Sequence, residues 1–158
     1  MKRLLLCWVI LLSFQNPCNA DPTKLSKQDK KALQEVPQFQ AISAVTNLPS
    51  AIVQLCADSN GRLAEPGEKW DPTDLISDPK LPRHRLIWAS ANATYYVVHY
   101  ESGGRAHIFR LLVARMKEGD KRPSSVWRGF GGELKDFTAF AEALANNELA
   151  DDASEHGR

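Results

Sequence analysis

The stretch TYYVVHYESGGRAHIFRLLVAR, residues 94–115, decides the fold. Thr94 to Glu101 is dense in β-branched and aromatic side chains, which suit a pleated, half-buried surface. Ala106 to Arg115 alternates, with His107, Phe109, Leu111 and Val113 on one side. Ser102-Gly103-Gly104 between them reads as a hairpin turn, because glycine reaches positive φ without steric penalty. Outward from this hairpin, Leu86 to Ser90 reads as a preceding strand followed by a turn to Ala93. Val126-Trp127-Arg128 reads as a short fourth strand that Gly129 ends. The result is an antiparallel meander of three to four strands.

The loop length leaves two registers for the central hairpin. A three-residue loop sets His99 opposite His107, with Cβ atoms roughly 4.5–5.5 Å apart, and two imidazoles there could share a metal. A two-residue turn at Gly103-Gly104 sets Tyr100 opposite His107 and sends the histidines to opposite faces. The second register aligns Tyr96, Val98 and Tyr100 with His107, Phe109 and Leu111, the more consistently apolar face, and is the favoured one. A zinc site also wants a third protein ligand. No metal and no cofactor are therefore expected, and His107 is expected as a partly buried histidine at the sheet edge.

Helices flank the meander. Ser26-Lys27-Gln28-Asp29 has the form of a capping box, opening a short polar helix to about Glu35 that Pro37 ends. Pro49 suits a first helical turn, and Ala51, Ile52, Leu55 and Cys56 share one apolar face up to a stop at Asn60-Gly61. Asp136 is placed to cap a last helix in which Phe137, Phe140, Ala141 and Leu144 recur at amphipathic spacing. Between residues 62 and 82 the repeated Pro and Gly predict a loop. Asp71 and Pro72 could open a single turn there that drops Leu75 and Ile76 onto the core, and Trp70 is expected to anchor the loop. The fold class is α+β, with two N-terminal helices and one C-terminal helix on the sheet.

The ends of the chain read differently. Lys2 and Arg3, the apolar run from Leu4 to Leu12, and Cys18-Asn19-Ala20 form a secretory signal pattern with cleavage after Ala20. The run is short for a bilayer span, which takes about 20 residues, so no membrane anchor is expected to remain. Gln15-Asn16-Pro17 before Cys18 does not resemble a lipidation signal. The organisation expected is a signal peptide over 1–20, an arm with a short helix over 21–48, one α+β domain over 49–149, and a disordered polar tail over 150–158. Cys7 and Cys18 leave with the signal, so Cys56 remains without a partner for an internal disulfide. Its apolar neighbours make it a buried thiol.

Composition narrows the function. The 158 residues are 43% hydrophobic and 25% charged, close to a soluble globular average, which excludes collagen-like and wholly disordered chains. Lys and Arg number 20 against 19 Asp and Glu, and that balance argues against nucleic acid, whose phosphates call for a basic surface. Gly129-Phe130-Gly131-Gly132 precedes a helix but lacks the Lys-Ser or Lys-Thr of a phosphate loop. Asn92-Ala93-Thr94 matches a glycosylation acceptor, while an Asn in that turn is expected for backbone reasons alone. Arg83-His84-Arg85 reads as a solvated basic loop. The carboxylates of Glu65, Glu68, Asp71 and Asp74 share no evident pocket. No Gly-x-Ser-x-Gly, His-Glu-x-x-His or Cys-x-x-Cys pattern occurs.

The expectation is an exported, periplasmic or secreted, non-catalytic interaction protein of the envelope accessory or inhibitor type. Its partner would be another envelope or secreted protein, with a homodimer through a free sheet edge as a further option. The candidate surface comprises His99, Tyr100, His107, Arg110 and Trp127, with Arg110 free to stack near Tyr95. The alternative is a small enzyme or small-molecule binder whose pocket between sheet and helix is lined by His107, His99 and Tyr100.

Overall fold

The computed structural model describes residues 24–74 and 78–152. The signal pattern, Leu75, Ile76 and the last six residues lie outside them. Six strands form one antiparallel sheet in sequence order. They are β1 Gln40–Ile42, β2 His84–Ala91, β3 Tyr95–Ser102, β4 Ile108–Arg115, β5 Ser125–Phe130 and β6 Ala150–Asp151. The α+β class and the meander stand, and the strand count rises from three or four to six. The two added strands are the edges, three and two residues long. Nothing so short carries a periodicity of its own. Gly129, read as a strand end, lies inside β5 because its missing Cβ leaves room for the Trp127 indole two residues back.

Both faces of the sheet are covered. Helix α2 (Ser50–Cys56) packs Ile52 and Cys56 with Leu86, Ala89, Val98, Tyr100, Leu112 and Ala114 on one face. On the other, α1 (Lys27–Leu33) and α3 (Phe137–Ala145) bring Leu33, Phe137, Phe140 and Leu144 against Tyr95, Val97, Leu111, Val113 and Trp127. The predicted caps are present. The Ser26 hydroxyl accepts from the Asp29 N–H while the Asp29 carboxylate accepts from the Ser26 N–H, and Asp136 accepts from the Ala139 N–H at 2.9 Å. α2 stops at Ala57, which is extended, four residues short of the glycine expected to end it.

The central hairpin corrects both predicted registers. Glu101 pairs with Phe109, Tyr100 with Arg110 and His99 with Leu111. The connection is five residues long, Gly103 to His107, and His107 lies in it rather than in the strand. Tyr96, Val98 and Tyr100 therefore share a face with Arg110, Leu112 and Ala114. Tyr95, Val97, His99 and Glu101 share the other with Phe109, Leu111, Val113 and Arg115. Of the glycine pair, Gly104 takes a positive φ of 144° and Gly103 is spent on close approach. A Cβ on Gly103 would strike the Asp71 carbonyl oxygen, and the Gly103 N–H donates to Arg83 O at 2.8 Å.

A bulge at Ile87 resets the alternation within β2. Leu86 pairs with Tyr100 and Trp88 with the adjacent His99, so two positions of β2 span one of β3. Leu86 thus enters the α2 core and Trp88 the α1/α3 core.

Residues 57–83 join α2 to β2, the described ones among them lie outside any helix or named strand, and buried polar groups organise them. The Asp58 carboxylate accepts from the backbone N–H groups of Asn60, Arg62 and Arg83 at 2.9–3.0 Å. Burial alone would raise its pKa, and these bonds with the Arg62 charge outweigh that and hold it below its ordinary value. The Arg62 guanidinium donates to the carbonyls of Pro79, Lys80 and Leu81. Asp71 accepts from the Thr73 N–H and hydroxyl, an Asx turn, and the single helical turn expected after it runs into Leu75 and Ile76, outside the described residues. A parallel bridge from Ala64 to Arg85 ties the loop to β2.

Of the polar tail predicted over 150–158, residues 150–152 are described. Ala150 and Asp151 pair with Phe130 and Gly129, and Asp152 is buried against Arg110 at 2.6 Å.

Candidate functional site

Arg85 on β2, Glu101 on β3 and Phe109 on β4 stand in one row across the sheet, each opposite the next. The row lies on the face that carries α1 and α3, at the end those helices leave open. The Pro66-Gly67 turn of the long loop and Glu133, just before α3, complete a cleft of about 380 Å³ with Arg85, Glu101, His107 and Phe109. That size lies within the usual range of ligand pockets.

Glu101 is the pivot. Its side chain is 6% exposed, and both oxygens are engaged. Oε1 accepts from Arg85 Nε at 2.6 Å and Nη2 at 2.5 Å. Oε2 lies 2.6 Å from His107 Nε2. A carboxylate offers only acceptors, so Nε2 carries a ring hydrogen, and in the neutral imidazole Nδ1 is then the bare nitrogen. The His107 side chain is 43% exposed and lines the cleft. Trp70 closes the arrangement from outside. Its ring lies 5.2 Å from the His107 ring and 5.2 Å beneath the Arg85 guanidinium. Arg85 also donates to Glu68 O at 3.2 Å. Arg85 and His107 are thus each held by Glu101 and flanked by the Trp70 ring, which is preorganisation.

The five residues predicted to form one surface are dispersed. His107 enters the cleft, as an exposed loop residue rather than a half-buried strand residue. His99 is 0% exposed and lies inside the α1/α3 core. Its Nδ1 is 3.0 Å from Arg110 O and its Nε2 accepts from the Leu134 N–H at 3.1 Å. Burial lowers its pKa, so it is a neutral structural histidine. Phe109 separates the two histidines, 6.0 Å from His99 and 4.9 Å from His107. Tyr100 is buried on the opposite face against His84. Arg110, also on that face, is held by Asp152 and Ser102 and stacks on Phe130. The residue over Tyr95 is Arg115 instead. The Trp127 indole donates to Asp151 at 2.8 Å.

Arg83-His84-Arg85 is a strand entry rather than a solvated loop. His84 Nδ1 contacts Cys56 O at 2.7 Å. Cys56 itself is buried, as its neighbours predict, and burial pushes its thiol up to about 12. Glu65 and Glu68 support backbone: Glu65 accepts from Val45 N and Glu68 from Glu65 N. Asn92 accepts from the Thr94 and Tyr95 N–H groups at 2.8 Å, the backbone role expected of it.

Sequence reading missed Arg85, Glu101 and Phe109 as a site because no short-range spacing links them. A signal existed in the loop: a structureless connection longer than about 12–15 residues is uncommon unless functional. Among the described residues no group of three His, Cys, Asp or Glu side chains is arranged to hold a metal. Comparison of the chain with protein-family models, curated proteins and solved structures gives no match.

Proposed function

We propose that the protein is an exported, non-catalytic binding module that recognises a second envelope or secreted protein through the cleft at Arg85, Glu101 and His107. One observation carries the reading. A buried carboxylate fixes an arginine and a histidine side by side, with aromatic rings against both, at an open end of the sheet. Rigid aromatic and arginine side chains around a pocket are the usual material of interface hot spots. Their rotamer freedom is already lost before binding, so association pays less ordering entropy.

A second reading rests on the Glu101–His107 contact. A carboxylate behind one imidazole nitrogen, with the other nitrogen open, is the geometry of a general base. It supports a small enzyme acting through an activated water. The residues lining the cleft include no hydroxyl or thiol, so a covalent nucleophile is not part of this reading.

Affinity capture separates the two. The bait is the chain from Asp21 onward, exposed to native extract of the exported fraction and read by mass spectrometry. A stoichiometric partner that survives moderate salt, and is lost with Arg85→Ala and with His107→Ala, supports the binding module. Folded bait that retains no partner overturns it and moves the search to small ligands and to water activation at His107.

A further inference from the structure

We infer that the cleft takes a cationic, hydrogen-bond-donating group, such as the ammonium of a partner's lysine side chain. The inference rests on the reading above of this cleft as the recognition site and names what it recognises.

The charges around the cleft decide the class. Arg85 contributes the single positive charge among the lining residues, and Glu101 neutralises it through two contacts on one oxygen. A third guanidinium nitrogen is taken by Glu68 O, and the cationic plane faces Trp70. Arg85 therefore has little left to offer an incoming anion. Glu133 also lines the cleft and makes no ion pair among the described residues. Arg105, two residues before His107, is exposed and does not line it. With His107 neutral the lining carries one net negative charge.

Hydrogen-bonding capacity points the same way. The Glu101 contact commits His107 Nε2 as a donor and, in the neutral imidazole, leaves Nδ1 as an acceptor. Glu133 offers acceptors only. An occupant must supply donors to both. The Phe109 ring beside His107 gives an apolar wall for the methylene stem of a long cationic side chain.

The test uses matched probes of opposite charge on the purified protein, n-butylammonium and butyrate, at equal ionic strength, followed by amide and imidazole NMR shifts. Butylammonium is expected to move the signals of Gly67, His107 and Glu133 in a saturable way, while butyrate leaves them in place. Glu133→Gln is expected to weaken butylammonium binding roughly two- to fivefold, the scale of an exposed ion pair. Equal or stronger response to butyrate overturns the inference, as does absence of a saturable butylammonium shift at these residues. An unchanged affinity in Glu133→Gln overturns it too. Capture of a protein partner that depends on Arg85 and His107, with no butylammonium binding, removes the cationic class and leaves the binding module standing. Butylammonium binding without any captured partner keeps the cationic class and removes the protein partner.

Discussion

Trp88 and His99 face each other across β2 and β3, ring centroids 5.4 Å apart, and together hold the backbone N–H and C=O of one residue, Leu134. The Trp88 indole donates to Leu134 O at 2.7 Å, and His99 Nε2 accepts from Leu134 N–H at 3.1 Å. This fixes the linker from β5 to α3 and with it the position of Glu133 at the cleft.

The grip requires a neutral His99, and stability should therefore depend on pH. Burial lowers the pKa of His99 and of His84 below the ordinary 6.5. Between the lowered and ordinary values the unfolded chain binds more protons than the folded one. Their stabilisation is thus complete above about pH 6.5 and is lost as pH falls through the folded values. Asp29 behaves alike at a lower range. Burial opposes its ionisation, but bonds from Ser26, Tyr95 and Arg115 outweigh that and hold it below 3.8, so its contribution persists until stronger acid. Urea unfolding at a series of pH values should show a first decline beginning near pH 6.5, reduced in His99→Gln. A flat profile down to about pH 5 would contradict the neutral histidines.

Glu101→Gln should release the tautomer of His107. In the parent protein, long-range nitrogen–proton NMR is expected to show hydrogen on Nε2 and a bare Nδ1. The amide can present either its oxygen or its NH₂ to the ring, so the variant should show a mixture. A bare Nε2 in the parent would refute the dyad geometry.

Removing Asp152 should destabilise the fold although it stands near the end of the described chain. Asp152→Ala leaves the Arg110 guanidinium with Ser102 as its remaining side-chain hydrogen-bond partner, a loss of about 1–3 kcal/mol on the scale of a buried group losing a partner. Denaturant midpoints measure it. An unchanged midpoint would mean that Asp152 adds nothing to the sheet.

Gly103→Ala should lower stability by about 1–3 kcal/mol, the usual penalty of overpacking. The added methyl meets backbone of Asp71 and Pro72, which cannot rotate away as a side chain can. A neutral result in thermal unfolding would show that the long loop is free to shift.

Cys56 should not react with a thiol reagent in the native state and should react once the chain unfolds, because burial holds the thiol protonated up to about 12. Rapid native labelling would contradict its place under α2.

The sequence made the central strands, the two caps and the amphipathic faces of α2 and α3 legible, since each is written in local pattern. Register was not. It depends on how Gly103 is used, and the contact that claims it comes from Asp71, more than thirty positions away in the chain. The bulge at Ile87 left no mark because Leu86-Ile87-Trp88 is apolar in any register. Of the cleft, His107 was legible as a residue, whereas Arg85, Glu101 and Phe109 became a row only through strand pairing.

Strand β3 feeds two cores at once, odd-numbered residues under α1 and α3 and even-numbered ones under α2. A slip of one residue would exchange the contents of both, pushing His99 and Glu101 beneath α2 and Tyr100 beneath α3. A sheet with one solvent-facing side would meet such an error with a single misplaced layer. Here every misregistered species loses two cores together, so the sandwich proofreads its own pairing.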